Sequence, residues 1–154
     1  MEPDDHAFMR AAIAEADAAG AAGELPIGAV IVIDGEIVAR GRSRQVELGH
    51  PIAHAETDAI ARAGMRLVRD HARATVYTSV EPCPMCLGAI VMADVPRVVF
   101  AAHDRNAGVP EMLEIPYVRR HLTFYEGGVL EDESRAVVAA RFPLLLGYLD
   151  GRRG

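Results

Sequence analysis

Residues 74–101 have the sequence ATVYTSVEPCPMCLGAIVMADVPRVVFA, and this stretch decides the fold. Two apolar runs rich in β-branched residues, Ala74–Thr78 and Arg97–Ala101, have the composition of buried strands. Between them, Pro84–Ala93 has the composition of a helix, and Pro84 suits a helix's first turn. A strand, a helix and a second strand in this order predict a right-handed parallel crossover.

Further elements are predicted on both sides of this unit. The other expected strands are Ala29–Ile33, Glu36–Arg40, which follows an Asp34-Gly35 hairpin turn, and a short fifth strand at Leu122–Tyr125. The other expected helices are one that begins at a cap, Asp4 or Asp5, and ends by Gly23, then Ile52–Ala63 with Gly64 as its stop, and Glu131–Phe142. Connections are expected at Gly41–Pro51 and His103–Tyr117, and an apolar tail at Leu144–Leu149. Together these elements predict an α/β fold: a three-layer α/β/α sandwich around a mixed sheet of about five strands.

The length and composition restrict the class of protein. A chain of 154 residues fits one domain, so we expect residues 1–154 to form a single domain. Two cysteines exclude a disulfide-rich scaffold. No apolar run approaches the roughly 18 residues that span a bilayer, and the acidic start Met1–His6 does not resemble a signal peptide. We therefore expect a cytoplasmic protein without membrane association.

The charge balance bears on partners. The net charge is −6, and all 16 cationic side chains are arginines. They are scattered, with adjacent pairs only at Arg119-Arg120 and Arg152-Arg153, which we interpret as solvated surface. Since nucleic-acid binders usually present a basic face, we expect a small-molecule partner and no nucleic acid.

Cys83 and Cys86 lie three residues apart at a predicted strand-to-helix turn. This spacing lets two thiolates reach one ion from the first turn of a helix, which also favours the thiolate form. The pair alone leaves three interpretations open. It is typical of a zinc site, it is equally typical of a thioredoxin-like redox centre, and two buried inert thiols would have the same sequence.

His54 and Glu56, at the start of another predicted helix, favour zinc. One histidine and two cysteines leave a tetrahedral zinc ion one position for water, and zinc lowers the pKa of that water from 15.7 toward about 7. Glu56 is then the group that accepts and delivers the proton, and it should not bind the metal. Residues i and i+2 lie about 200° apart around a helix. We therefore expect His54 in the first helical turn, with both helix N-termini directed at the zinc.

His-x-Glu followed by Pro-Cys-x-x-Cys resembles the signature of the cytidine and nucleobase deaminase superfamily. The resemblance runs from Leu25 to Ala102. It includes these stretches: Leu25-Pro-Ile-Gly-Ala-Val30, Ala53-His-Ala-Glu56, Thr78-Ser-Val-Glu-Pro-Cys-Pro-Met-Cys-Leu-Gly-Ala-Ile90 and Val95-Pro-Arg-Val-Val99. It implies a cytidine deaminase-like fold, one Zn²⁺ per chain and a homodimer. It also implies a hydrolytic deamination in which activated water displaces ammonia from a ring carbon while Glu56 carries protons.

Three branches of the superfamily are similar to this chain: cytosine, guanine and tRNA adenosine deaminases. We expect a free nucleobase as substrate, a cytosine-type pyrimidine first and then guanine or an s-triazine. One alternative is a tRNA adenosine deaminase, which shares the Phe-Ala-Ala-x-Asp stretch ending at Asp104 and which the acidic balance opposes. Another is a non-hydrolytic thiol-redox or metal-binding module.

Substrate contacts follow from the same resemblance. The family usually has an asparagine after its second strand, and the matching position here is Ser43, whose shorter side chain lacks the bidentate edge of an amide. This departure puts the standard cytosine or guanine specificity in doubt. The other implied contacts are the wall residue Ile27, the Ala55 backbone N–H, the Glu81 carbonyl, Asp104 or Asn106, and Asp150 near the C-terminus.

Overall fold

The computed structural model describes residues 2–151, which contain a five-stranded sheet. The strands are β1 (Gly28–Ile33), β2 (Glu36–Arg42), β3 (Ala74–Val80), β4 (Arg97–Ala102) and β5 (Phe124–Glu126). Their order across the sheet is β2-β1-β3-β4-β5. Strand β1 is antiparallel to both of its neighbours, whereas β3, β4 and β5 are parallel. The sheet is therefore mixed, as the sequence predicts.

Helices cover both faces of this sheet. They are α1 (Asp5–Ala21), α2 (Gln45–Leu48), α3 (Ala55–Asp70), α4 (Pro84–Met92), α5 (Pro116–His121), α6 (Glu131–Arg141) and α7 (Leu144–Leu149), with short 3₁₀ helices at His71–Arg73 and Pro110–Glu114. Within residues 2–151, none of them has the length and apolar character needed to cross a membrane.

The alternation of β1 side chains divides the core into two layers. Ala29, Ile31 and Ile33 pack with residues of α3 and α4 on one face. Val30 and Val32 pack with α1 on the other, because successive side chains of a strand point to opposite faces. The predicted three-layer α/β/α sandwich is confirmed.

Several predicted boundaries are wrong. Helix α3 begins at Ala55 instead of Ile52, and it runs past Gly64 to Asp70. Gly64 breaks the helical geometry with φ 54° and ψ −134°, which glycine tolerates, but a second helical segment follows the kink. The expected connection Gly41–Pro51 contains the short helix α2, the helix α5 begins at the end of the expected connection His103–Tyr117, and β5 lies slightly later than predicted. One-turn helices are too short for periodicity to reveal them.

Asp5 does not cap α1. The preceding residue, Asp4, occupies the cap position without a side-chain cap bond. The fully buried Asp5 carboxylate instead accepts hydrogen bonds from the Tyr77 hydroxyl at 2.5 Å and from Arg97 at 2.8 Å. Burial alone would raise the pKa of Asp5, but these hydrogen bonds outweigh it and lower the pKa. Asp5 thus ties α1 to β3 and β4.

Gly41 allows β2 to lie directly against the first turns of α3. A Cβ atom at position 41 would lie 2.3 Å from the Ala55 carbonyl oxygen and 2.5 Å from the Ala59 nitrogen. Both are backbone atoms, which cannot move aside as a flexible side chain does. The close approach therefore sets the position of the helix start that bears Glu56.

We expect Gly41→Ala to destabilise the protein by about 2 kcal/mol or more, because overpacking a close backbone contact forces β2 and α3 apart. The measurement is the midpoint of urea unfolding. Gly88→Ala on α4 is the matched control, since a Cβ there meets nothing within 4 Å and alanine favours the helix. Equal midpoints for Gly41→Ala and the wild type would contradict this account of the packing.

Candidate metal centre and substrate pocket

The side chains of His54, Cys83 and Cys86 converge on one point. Their ligand atoms all lie within 4.8 Å of one another, and within residues 2–151 this is the one such cluster of His, Cys, Asp and Glu found. The His54 Nδ1 atom lies 3.6 Å from Cys83 Sγ and 3.5 Å from Cys86 Sγ.

These distances fit zinc. With Zn–S bonds of about 2.3 Å and Zn–N bonds of about 2.0–2.1 Å, a tetrahedral angle separates nitrogen and sulfur by about 3.6 Å. The observed separations of 3.5 and 3.6 Å therefore match two edges of a zinc tetrahedron. A His-Cys-Cys set supplies three of four ligands, as in zinc sites that keep one position for a reacting molecule.

The local folding of two segments brings these ligands together. His54 is the residue before the first turn of α3, and Cys83 is the residue before the first turn of α4. Both helices thus begin at the metal centre, where their positive N-terminal ends favour anionic ligands. The Cys86 thiol donates a hydrogen bond to Cys83, and together with His54 it lowers the pKa of Cys83 to about 4 despite burial. A thiolate, the form that binds zinc, is therefore available at Cys83.

Glu56 lies beside this centre without belonging to the ligand cluster. It is buried, with 4% of its surface exposed, and its Oε1 accepts a hydrogen bond of 2.6 Å from the Thr78 hydroxyl. Burial raises the pKa of Glu56, and the hydrogen bond from Thr78 offsets this only in part. A carboxyl group whose pKa is raised binds a proton more readily than one in water, which suits a group that accepts and delivers protons.

A cavity of about 300 Å³ opens onto the metal ligands, a volume typical of small-ligand pockets. The structure brings nearly all of the residues expected from the sequence into its wall: Ile27, Ser43, His54, Ala55, Glu56, Glu81, Cys83, Asp104 and Asn106. Cys86 is fully buried behind it. Ala55 is the first residue of α3, and the first N–H groups of a helix have no partner within the helix.

Ser43 forms part of the pocket wall, and its placement depends on Ile27. Its backbone N–H donates to the Ile27 carbonyl oxygen at 3.1 Å, which joins the two wall segments. Gln45 also lines the pocket, and its side-chain amide donates to the Pro51 carbonyl oxygen at 2.5 Å. An amide group is therefore present two residues after the position where the family usually has one.

Glu81 and Asp104 shape the loop that follows β4. The Glu81 carboxylate accepts a hydrogen bond from the Asp104 backbone N–H at 3.0 Å, and burial raises the pKa of Glu81. The Asp104 carboxylate accepts hydrogen bonds from the backbone N–H groups of Asn106 and Ala107 at 2.9 and 2.8 Å. Both side chains thus hold the loop in place at the pocket's edge.

Asp150 lies outside this pocket. Its two carboxylate oxygens accept hydrogen bonds from Arg135 at 3.0 and 3.1 Å, and it lines a neighbouring cavity instead. Asp150 therefore does not line the substrate pocket in this structure, and its contact with the substrate stays a prediction. The neighbouring pair Arg152-Arg153 lies outside the described residues.

Sequence analysis missed the aromatic side of the pocket. Phe142, Leu145 and Tyr148 complete its wall, the last two from α7. Leu145 and Tyr148 are three residues apart and so share one face of the helix. The apolar tail at Leu144–Leu149 was the sequence feature that could have indicated these pocket residues, because a short apolar helix near a site either packs on the core or covers the site. Here it does both, since Leu149 is buried in the core.

Comparison with known proteins identifies the family. The chain matches the cytidine and deoxycytidylate deaminase zinc-binding region over residues 2–102, and it belongs to this family. It is therefore a zinc-binding deaminase, a hydrolase that acts on C–N bonds. Membership in this family also decides between the alternatives left open for the cysteines, in favour of zinc.

Three individual proteins of known type are similar to this chain over most of its length. The chain is 40% identical over 142 residues to a tRNA-specific adenosine deaminase of Bacillus subtilis, covering 90% of this chain and 88% of that protein. A solved tRNA A34 deaminase, from a study of adenosine-to-inosine editing at the wobble position, is 36% identical with a TM-score of 0.77, over 85% and 98% of the two chains. A guanine deaminase from Bacillus subtilis is also 36% identical, with a TM-score of 0.58 over 76% and 71%.

Two expectations are overturned by these relatives. The expected free nucleobase substrate and the exclusion of nucleic acid are both wrong, since the relative that is 40% identical over 90% of this chain is a tRNA-specific adenosine deaminase and the solved structure with a TM-score of 0.77 is a tRNA A34 deaminase. The net charge of −6 misled the prediction because it averages the whole surface. A nucleic-acid contact depends on the charges near the site.

We expect Cys83→Ala to lower the zinc content of purified protein from about one ion per chain to near zero, because two remaining ligands cannot complete the site. The measurement is elemental analysis of freshly purified protein. Glu56→Gln is the matched control, since Glu56 lies beside the centre without being a ligand, and it should retain its zinc. Full zinc occupancy in Cys83→Ala would contradict the assignment of this ligand.

Proposed function

We propose that this protein deaminates an adenosine of tRNA to inosine by zinc-dependent hydrolysis. The observation that supports the substrate is the 40% identity to a tRNA-specific adenosine deaminase across 90% of the chain. The His54, Cys83 and Cys86 cluster, with Glu56 beside it, supports the chemistry. Water adds to C6 of the base, the C6–N bond breaks, and the products are inosine and ammonia.

Glu56 moves the protons in this proposal. Zinc bound at the three ligands supplies Lewis acidity, which brings the pKa of water toward about 7. Glu56 accepts a proton from the attacking water and passes it to ring nitrogen N1, and the second water proton leaves with the amino group as ammonia. The Thr78 hydroxyl, 2.6 Å from Oε1, orients the carboxylate during both transfers.

The pocket wall would bind and orient the base. We assign the backbone N–H of Ala55, at the start of α3, and the carbonyl of Glu81 to the polar edge of the ring, with Ile27 and Leu145 on its faces. Ser43 and Asn106 lie at the same wall. Because the reacting carbon lies inside a cavity, the nucleotide must leave its stack and enter the pocket, as in other enzymes that modify a base.

The direct test is ammonia release and inosine formation with the zinc-loaded protein. Substrates are an unmodified tRNA with adenosine at the wobble position, the same tRNA with guanosine there, and free adenine, cytosine and guanine. We expect turnover of the first substrate alone. Turnover of a free base with no reaction on tRNA would contradict the proposal.

We expect Glu56→Gln to lower kcat on tRNA by about 10³-fold or more, because the amide cannot carry a proton and general acid–base catalysis is typically worth 10²–10⁴. The measurement is single-turnover inosine formation at saturating tRNA. Glu133→Gln removes a carboxylate on the exposed side of α6, where Glu133 pairs with Arg10, and should leave the rate unchanged. A Glu56→Gln enzyme with full activity would exclude the proton-transfer role.

A further inference from the structure

Arginines of this chain are largely neutralised by carboxylates. Among residues 2–151, every arginine except three has an Asp or Glu within ion-pairing distance. The exceptions are Arg69 in the last turn of α3, Arg120 on α5 and Arg105 in the loop after β4. Within residues 2–151, these are the arginines that can bind an outside anion without giving up an ion pair.

Arg105 is the one of the three that lies at the site. It lines a second cavity of about 890 Å³, which shares Glu81 and Asp104 with the substrate pocket. Its neighbours on either side in the sequence, Asp104 and Asn106, line the substrate pocket itself. Neither Arg69 nor Arg120 borders either cavity.

The other basic side chains that line the second cavity already have acidic partners. Arg135 pairs with Asp150 at 3.0 Å, and His103 pairs with Glu131 at 3.0 Å. Within the described wall of this cavity, Arg105 is therefore the cation left without an acidic partner.

None of the acidic residues that line this cavity forms an ion pair with Arg105. The carboxylate of Asp104 is used by the backbone N–H groups of its own loop, and that of Glu81 by the Asp104 N–H. Glu111 and Asp132 also line the cavity, but neither forms an ion pair with Arg105. A guanidinium in this position can accept an anion without first giving up an internal partner.

The backbone of Arg105 is held in place. Its N–H donates a hydrogen bond of 2.8 Å to the Leu149 carbonyl oxygen at the end of α7. The exposed side chain is thus attached to a fixed backbone position between the substrate pocket and the second cavity. Binding an anion there costs little backbone conformational entropy.

Building on the proposed function, we propose that Arg105 binds a backbone phosphate of the RNA next to the nucleotide whose base enters the pocket. When a base enters a cavity, the phosphates on either side of it are left at the mouth. A planar guanidinium matches a phosphate with two parallel hydrogen bonds. This contact also explains how a chain with a net charge of −6 can bind a polyanion: one unneutralised cation stands at the site.

The test compares Arg105→Ala with Arg120→Ala in the zinc-loaded full chain. Arg120 is the matched control because it also lacks a carboxylate partner but lies over the Tyr117 ring, away from both cavities. The measurements are the Kd for a tRNA with wobble adenosine between 50 and 200 mM salt, and the single-turnover rate at saturating tRNA.

For Arg105→Ala we expect a Kd that is about tenfold weaker and a salt slope of log Kd that is smaller by about 0.7, the value for one phosphate contact to a single strand. The loss should fall mainly on the Kd, with a smaller effect on the saturated rate, because a phosphate contact lies outside the reacting atoms. Arg105→Lys should keep the slope, since it keeps the charge. Arg120→Ala should match the wild type in all three quantities. If Arg105→Ala behaves as Arg120→Ala does, the phosphate contact is excluded.

The same experiment separates the two proposals. A wild type that binds tRNA through Arg105 but forms no inosine would exclude the deamination and leave the contact standing. A wild type that forms inosine, with no effect of Arg105→Ala, would exclude the contact alone. Absence of tRNA binding by the wild type would exclude both.

Discussion

The site depends on two helices that begin at the same point. His54 precedes the first turn of α3, and Cys83 precedes the first turn of α4, so both N-terminal ends face one small volume. This convergence sets the nitrogen–sulfur distances at 3.5 and 3.6 Å, and it places positive helix ends where thiolates must be stable. Moving either helix by an ångström would lose the tetrahedron. The close contact of β2 with α3 at Gly41 is therefore part of the site's construction.

Burial gives Glu56 its chemical character. The Glu56 carboxyl group is buried in the pocket wall and accepts a hydrogen bond from the Thr78 hydroxyl of β3, and burial favours its neutral form more than water does. The sheet supplies that partner because Thr78 follows the apolar run of β3 and points to the α3 face. The strand that leads to Cys83 thus also holds the Glu56 carboxyl group in place.

Ion pairs between side chains decide where an unpaired positive charge remains on this protein. The chain has more acidic than basic residues, yet most of its described arginines are bound to carboxylates that tie elements together, as Arg97 does with Asp5 and Arg44 with Asp58. The net charge therefore predicts neither the electrostatic field near the site nor the class of molecule that binds there. What matters for a polyanion is which cation remains unpaired and where it stands, and Arg105 stands between the two cavities.

The sequence alone determined the layered fold and the zinc-ligand set, and it predicted Glu56 as the acid–base residue, because these depend on short-range patterns. Apolar runs define strands, and the His-x-Glu and Pro-Cys-x-x-Cys spacings place side chains at helix starts. It did not determine the substrate, the role of α7 or the place of Asp150. Leu145 and Tyr148 reach the pocket from more than fifty residues beyond the cysteines, and Asp150 is turned away by Arg135. Such contacts join residues remote in sequence, so only the tertiary structure decides which of them meet.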